Sequence, residues 1–413
     1  MERLRALSNQ IAGTATVTAA AAAAEKPYKG VVVGLGWMGL LYDLTERVAE
    51  EGTYDPNTEK MERPAQRPTP ELDIHKKIHT HTHPGESGIP TSYSEALANH
   101  PSVELVACAD PTPVRQRAFT QRYPGTRAYK DAEEMFRVES PDIVAIATNT
   151  KGRAELTALA VRYGAKIVLT DKPMAHSLAE VDLMVTTCAE ADVPLNCGAI
   201  STTDPSFGKA RELLRNGAIG KLLSIEARGP SAQHQGWSYF LDSPPMWCVG
   251  TGHSKQENLT NSFGAELSTE FDGQGMLATE NGVVVFFRAG VEGEMSMGVR
   301  LSGESGHMIF AYPTGWELYQ DVETSKAAGG GTARLRVPWP APQFLPPYGA
   351  TYGLADCIDC LEGRLDEPKN SGRRVGVAIE TEIALKLSSS RGGERVALPL
   401  TDRSLRLQYD WFR

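Results

Sequence analysis

Two short stretches carry residue types and spacings able to do chemistry. In the first, the β-branched run Val31 to Val33 turns at once into Gly34-x-Gly36-x-x-Gly39, at the start of an apolar, helix-permissive segment. That spacing suits a pyrophosphate. Gly34 permits a tight turn, Gly36 lets backbone approach the phosphates, and Gly39 lets helix and strand pack closely, with the helix N-terminus facing the anion. Trp37 and Met38 lie inside the same turn and count with it. In the second stretch, a strand-like run from Lys166 to Thr170 ends in Asp171-Lys172-Pro173. A lysine at the end of a buried strand can hold a reacting hydroxyl and accept its proton. The isomer of the Lys172-Pro173 bond is left open by sequence.

The elements that must position these stretches alternate. After Gly39 a helix is expected through Tyr42 to about Glu50, then a polar, proline-rich insertion over 51–90, then helix from Ser92 and a strand from Val103 to Cys108. Helices around Pro113 to Tyr123 and Ala132 to Val138 lead to the strand Asp142 to Thr148, and a helix from about Gly152 to Tyr163 leads to the lysine's strand. Strand–helix alternation means a doubly wound parallel sheet, a Rossmann domain, whose ligands bind beyond the strands' carboxyl ends. Thr148, Asn149, Asp171, Lys172 and Pro173 all fall there. They join Gly34, Gly36, Trp37, Met38 and Gly39 as a candidate dinucleotide site.

Asp110 closes the second strand, where an acidic residue hydrogen-bonds the adenosine ribose. It stands 76 residues past Gly34 instead of about 20, which the insertion accounts for. A carboxylate there repels a 2′-phosphate, so NAD is expected, with NADP as the alternative if Arg115 softens the preference. The insertion holds His75, His79, His81 and His83, the last three alternating as on one face of an extended segment. Three readings stay open: solvated loop histidines, a lid bringing one histidine to the site, or a metal cluster that lacks an obvious carboxylate or cysteine partner.

Bulk properties limit the partners. A chain of 413 residues suits two domains, and a net charge of −9 argues against a nonspecific nucleic-acid surface. Six scattered cysteines give no disulfide framework, and Cys357-x-x-Cys360 has no second pair at metal-ligand spacing, so no metal is expected. The alanine run Ala19 to Ala24 is neither a spanning helix nor a Leu-rich secretory centre. Residues 1–28 are read as an N-terminal extension, with a targeting peptide as the alternative, and the protein as cytoplasmic and not membrane-bound.

Beyond residue 200 alternating segments suggest strands at Leu222 to Arg228, Met276 to Thr279, Val283 to Phe287, Met295 to Leu301 and His307 to Tyr312. Ala327 to Thr332 and Val337 to Tyr348 read as connections. A long helix from about Arg373 carries Val375, Ile379, Ile383 and Leu387 as a core-facing stripe. Trp237, Tyr239 and Trp247 are read as one loop's aromatic faces, suited to stacking on a sugar ring or to packing in a core.

Together, Gly34-Leu-Gly-Trp-Met-Gly39, Ala109-Asp110-Pro111, Ile146-Ala-Thr-Asn149, Asp171-Lys-Pro-Met-Ala175, Gly217-Ala-Ile-Gly220 and Val396-Ala-Leu-Pro-Leu400 resemble the Gfo/Idh/MocA family of oxidoreductases over roughly residues 29–400. The resemblance implies domains at 29–200 and 201–413, the second an α/β domain on a large, mostly antiparallel open sheet often used for homo-oligomer contacts. It also implies hydride transfer between a nicotinamide and a secondary hydroxyl or ketone of a sugar, sugar derivative or cyclitol, with Lys172 at the reacting hydroxyl.

Departures accompany the matches. Asp171 stands where the family usually has Glu, and Thr148-Asn-Thr-Lys-Gly-Arg153 replaces Thr-Pro-Asn-x-x-His. Ser201-Thr202-Thr203 replaces an arginine pair before Asp204-Pro205, which favours a neutral substrate. The family's Asp-x-Gly-x-His-x-x-Asp helix is absent. His253 is its nearest counterpart as proton relay and Asp242 a second candidate, while Val249 stands where the Asp should be. Two alternatives follow from that erosion and from the family's range: a glycosidase or lyase that retains NAD and oxidises transiently, and a non-enzymatic dinucleotide-binding sensor.

Overall fold

The computed structural model describes residues 28–41, 92–198, 204–228, 236–251, 274–288, 298–311, 315–324, 329–341 and 350–407. The N-terminal extension, the 51–90 insertion with its four histidines, Ser201 to Thr203 and His253 lie outside them.

Six parallel strands form the first sheet: β1 (Tyr28–Val33), β2 (Val103–Ala109), β3 (Arg127–Tyr129), β4 (Ile143–Ile146), β5 (Ile167–Thr170) and β6 (Leu195–Cys197). Their order is β3-β2-β1-β4-β5-β6. Every residue of β4 and β5 is buried, which is why both read as unbroken apolar runs rather than alternating ones. The strand order reverses between β1 and β4, the crevice where open α/β sheets hold ligands.

Helices α1 (Tyr93–Asn99), α2 (Pro113–Arg122), α3 (Ala132–Glu139), α4 (Arg153–Arg162) and α5 (Leu178–Glu190) connect the strands. The first is the continuation of a turn that starts at the glycines. Leu40 N–H donates to Gly36 O at 3.0 Å, Tyr93 N–H to Met38 O at 2.7 Å and Ser94 N–H to Gly39 O at 3.2 Å. The glycine turn and α1 are thus joined by hydrogen bonds although 50 residues of sequence, 42–91, lie between Leu41 and Ser92.

The second sheet has nine strands, in the order β14-β13-β12-β11-β7-β10-β9-β8-β15. They are β7 (Leu222–Arg228), β8 (Pro245–Gly250), β9 (Gly275–Thr279), β10 (Val284–Arg288), β11 (Gly298–Gly303), β12 (Gly306–Ala311), β13 (Gly315–Thr324), β14 (Gly331–Val337) and β15 (Val396–Ala397). Only β7 and β10 pair in parallel. The architecture is therefore α/β throughout, a doubly wound sheet plus a mostly antiparallel one. Gly331 to Val337, expected to border two connections, is an edge strand, largely exposed on both faces.

One face of this sheet packs on helices α6 (Pro205–Arg215) and α8 (Gly372–Ser390). Phe207 sits 4.8 Å from the Phe310 ring and 5.1 Å from Trp316, both edge-on. Val375, Ile379 and Ile383 are buried as their spacing predicts, and a side chain of that kind is worth roughly 1.5–3 kcal/mol when buried. Helix α7 (Ala350–Leu361) packs instead on β5, β6 and α1. Its Leu354, Cys357 and Ile358 share a core with Val32, Leu35 and Tyr93. The late part of the chain thus completes a layer of the first sheet, and Cys357 is a packing residue there.

Candidate functional site

The site is built at the carboxyl ends of β1, β4 and β5. Gly34 lies at φ +87°, a conformation glycine adopts without strain, and a Cβ there would meet Thr148 N at 2.9 Å. The turns after β1 and β4 therefore abut. A Cβ on Gly39 would collide with Gly34 O, whereas one on Gly36 would meet nothing within 4 Å. The first marks the tight strand–helix approach and the second the open approach to backbone that a pyrophosphate requires. The residues present therefore fit a dinucleotide.

Asp110 fixes the turn from the side. Its carboxylate accepts from Leu35 N–H at 2.7 Å and Thr112 N–H at 2.8 Å, and the buried Arg115 Nη1 stands 3.5 Å away. Both oxygens are thus engaged within the chain, which ties the glycine turn to the end of β2. Trp37 and Met38 are half-buried on the turn, Thr148 is half-buried, and Asn149 is exposed.

Lys172 follows β5 directly, and its bond to Pro173 is cis. Asp171 Oδ1 accepts from Lys172 N–H at 2.8 Å. Burial pushes the Asp171 carboxyl up, against the opposing charges of Arg153 and Lys172. Beneath them lies a residue that sequence reading registered only as a departure. Arg153, 1% exposed, donates through Nη1 to Asp171 O at 2.5 Å and to Pro173 O, and through Nη2 to Thr148 O. Nearby, Tyr93 Oη donates to Thr170 O at 2.8 Å, and the Cys197 thiol lies 3.6 Å from Asp171 O. Burial raises both the Tyr93 and Cys197 groups.

Of the candidates beyond residue 200, Trp237 and Tyr239 are buried, in line with the core-packing alternative. Trp237 is fully buried against Phe287, ring centroids 5.0 Å apart, in a short 3-10 turn over Trp237–Phe240. Tyr239 is buried between two guanidinium groups, Arg211 at 4.7 Å and Arg374 at 5.1 Å from its ring. Trp247 lies on β8, not on a shared loop. Its neighbours Cys248 and Gly250 face α8, so Trp247 points to the opposite, open face of the sheet, where Arg395 covers it at 4.6 Å. Asp242 is half-exposed and ion-paired with Arg211 at 2.8 Å and Arg215 at 3.6 Å. The partners just named for these four are residues other than those of the Lys172 turn. No group of three or more His, Cys, Asp or Glu able to hold a metal occurs among the described residues.

Comparison with known proteins agrees with this geometry. Residues 85–199 match the model of an oxidoreductase family with an NAD-binding Rossmann fold. The chain is 32% identical over 149 residues to myo-inositol 2-dehydrogenase of Thermotoga maritima, covering 36% of this chain and 44% of that one. It is 36% identical over 117 residues to D-apiose dehydrogenase of Paraburkholderia graminis, covering 28% and 31%. The matched segment thus spans less than half of these relatives. Over most of its length the fold is shared with aldose-aldose oxidoreductase from Caulobacter crescentus, solved with glycerol (TM-score 0.58, 16% identity, 90% of this chain and 100% of that one). It is also shared with an oxidoreductase from Agrobacterium radiobacter solved with NAD+, L-tartaric acid and magnesium (TM-score 0.57, 15% identity, 90% and 98%). Residues 85–199, which hold the Lys172 turn, thus resemble the Gfo/Idh/MocA family of oxidoreductases, and the chain shares the fold of the solved oxidoreductases.

Proposed function

We propose that this protein is an NAD-dependent oxidoreductase that interconverts a secondary hydroxyl and a ketone on a sugar, sugar derivative or cyclitol. The observation that carries the reading is the placement of Lys172. It follows β5 directly, one strand from the β1/β4 crevice, where Gly34 and Thr148 abut. A dinucleotide lying across that crevice from Asp110 puts its reactive end on the β4–β5 side.

The turn residues 34–39 would hold the pyrophosphate, Asp110 the ribose, and Thr148, Asn149 and Asp171 to Pro173 the nicotinamide half. The bound nicotinamide supplies the hydride acceptor. Lys172 donates a hydrogen bond to, or takes the proton from, the reacting hydroxyl. The buried Asp110–Arg115 pair supports NAD over NADP, because the arginine's charge is already met. The relatives' names, an inositol and an apiose dehydrogenase, support the polyol class. Asp242, held in surface ion pairs, has no support as a relay; His253 keeps that candidacy.

A homo-oligomer through the open face of the nine-stranded sheet belongs to the same reading, as does a cytoplasmic location. Among the described residues no helix is long and apolar enough to cross a membrane.

The test is to follow reduced-nicotinamide absorbance and fluorescence of the purified protein with NAD or NADP and a pooled panel of sugars, glycosides and cyclitols. Free reduced cofactor is the expected result. Cofactor released only on denaturation, with sugar cleavage and no net reduction, would replace this reading by the retained-NAD glycosidase or lyase. Binding without any turnover would leave a sensor.

A further inference from the structure

We infer that Arg153 is the positioning residue for Lys172, a single buried cation that sets where the lysine's side chain starts and which way it points. The inference rests on the proposed function for its kinetic consequence, but the clamp itself is a matter of geometry. The carbonyls of Asp171 and Pro173 flank Lys172 on either side, and one guanidinium nitrogen of Arg153 donates to both. The other nitrogen holds Thr148 O, at the end of the neighbouring strand. The two turns that close on the crevice are therefore referred to one rigid, planar fork.

Three features argue against a merely space-filling role. A guanidinium with 1% exposure is expensive to bury, and burial does lower its proton affinity here, yet it is retained. An apolar residue of similar volume would fill the space without that penalty. What an apolar residue cannot do is gather three carbonyl oxygens from two loops, and lysine, a point charge without a planar fork, cannot do it either.

Asp171 works on the same peptide from the other side. Its carboxylate accepts from Lys172 N–H, so the peptide unit joining residues 171 and 172 is held at both its oxygen and its nitrogen. Arg153 and Asp171 are also two of the positions where this chain departs from the family's usual residues. The fold brings these departures together at one carbonyl, directly under the lysine. Arg153 is closed off from solvent, so it acts through Lys172 rather than on the substrate.

The experiment compares wild type with R153K and R153Q. Three quantities are read: steady-state kinetics on the substrate found by the panel, NADH affinity by fluorescence, and the rate at which trinitrobenzenesulfonate labels Lys172, by peptide mass spectrometry with and without NADH. In R153K kcat is expected to fall about 100-fold while KM and NADH affinity stay within about threefold, since a displacement near 1 Å at a reacting group has that effect. Labelling of Lys172 without dinucleotide should change by at least about threefold, and its protection by NADH should weaken.

R153Q, which removes the charge, serves where R153K does not fold. A variant that melts earlier but keeps wild-type kcat and wild-type Lys172 labelling would overturn the inference, because only a structural role would remain. If NADH leaves Lys172 labelling unchanged in wild type, the functional reading fails instead. The dinucleotide-free labelling rates still decide the clamp in that case.

Discussion

Two polar clusters in this molecule differ in what their groups point at. Under the Lys172 turn, Arg153 and Tyr93 aim at backbone carbonyls, so the side chains fix the course of two loops. Beyond residue 200, Arg211 pairs with Asp242 and Arg374 with Glu367 around the Tyr239 ring, and Arg374 also donates to Pro368 O at 2.7 Å. The first arrangement orients a residue for something outside the cluster. The second joins side chains mainly to one another, the kind of polar network that rigidifies a fold.

The widest separation between the two should come from Lys172→Ala. Turnover is expected to fall on the order of 10³-fold, with NADH affinity little changed, because the lost group acts on the proton and not on the pyrophosphate. Thermal stability should be close to wild type. Wild-type turnover in this variant would end the assignment of the first cluster to chemistry.

Tyr239→Ala should do the opposite. Removing a buried ring from between two guanidinium groups is expected to destabilise by about 3 kcal/mol, seen as a lower denaturant midpoint. KM for substrate in the surviving folded fraction should stay near wild type. A large KM increase with unchanged stability would move Tyr239 into the substrate pocket and erase the contrast.

A smaller effect separates the clusters by pH. Burial would raise the Glu367 carboxyl, but hydrogen bonds from Arg373 and Ser371 and the charge of Arg374 outweigh it and hold the group below its ordinary value. A carboxyl depressed in the folded state contributes stability above its unfolded pKa, and that contribution is lost as pH falls through the folded one. Glu367→Gln should therefore cost about 1 kcal/mol at neutral pH and flatten the fall in stability below about pH 4. An unchanged acid limb would show that Glu367 is not coupled to folding.

The sequence made the first cluster's setting legible and left the second's obscure, for reasons visible in particular residues. Val31 to Val33 and Ile143 to Ile146 are buried on both faces, so their strands announce themselves as apolar runs, and the glycine spacing is set by local sterics. Lys172 stood out because it follows such a run. Arg153 was visible only as an unusual residue, since nothing in a sequence tells that a guanidinium will fold back onto carbonyls 18 and 20 positions later. Strand β14 escaped because it is an exposed edge with little alternation to detect. The insertion between the glycine turn and Asp110 was legible from its polar, proline-rich composition, but the hydrogen bonds joining Met38 and Gly39 to Tyr93 and Ser94 were not, because a helix pattern cannot be followed across 50 intervening residues. For the aromatics the missing information was parity: one position along a strand exchanges the faces of a sheet.

Trp247 tests that last point with the smallest expected change. It occupies the open face of the nine-stranded sheet, while Cys248 beside it enters the core against α8. Trp247→Ala should leave KM within about twofold of wild type, because a contact not made to the substrate adds little to a transition-state energy. Its effect should appear in sedimentation, where loss of a large aromatic surface weakens association if copies of the chain meet on this face. A clear rise in KM at constant oligomeric state would mean that substrate reaches the open face, and the division between a chemical cluster in one domain and a structural one in the other would have to be redrawn around Trp247.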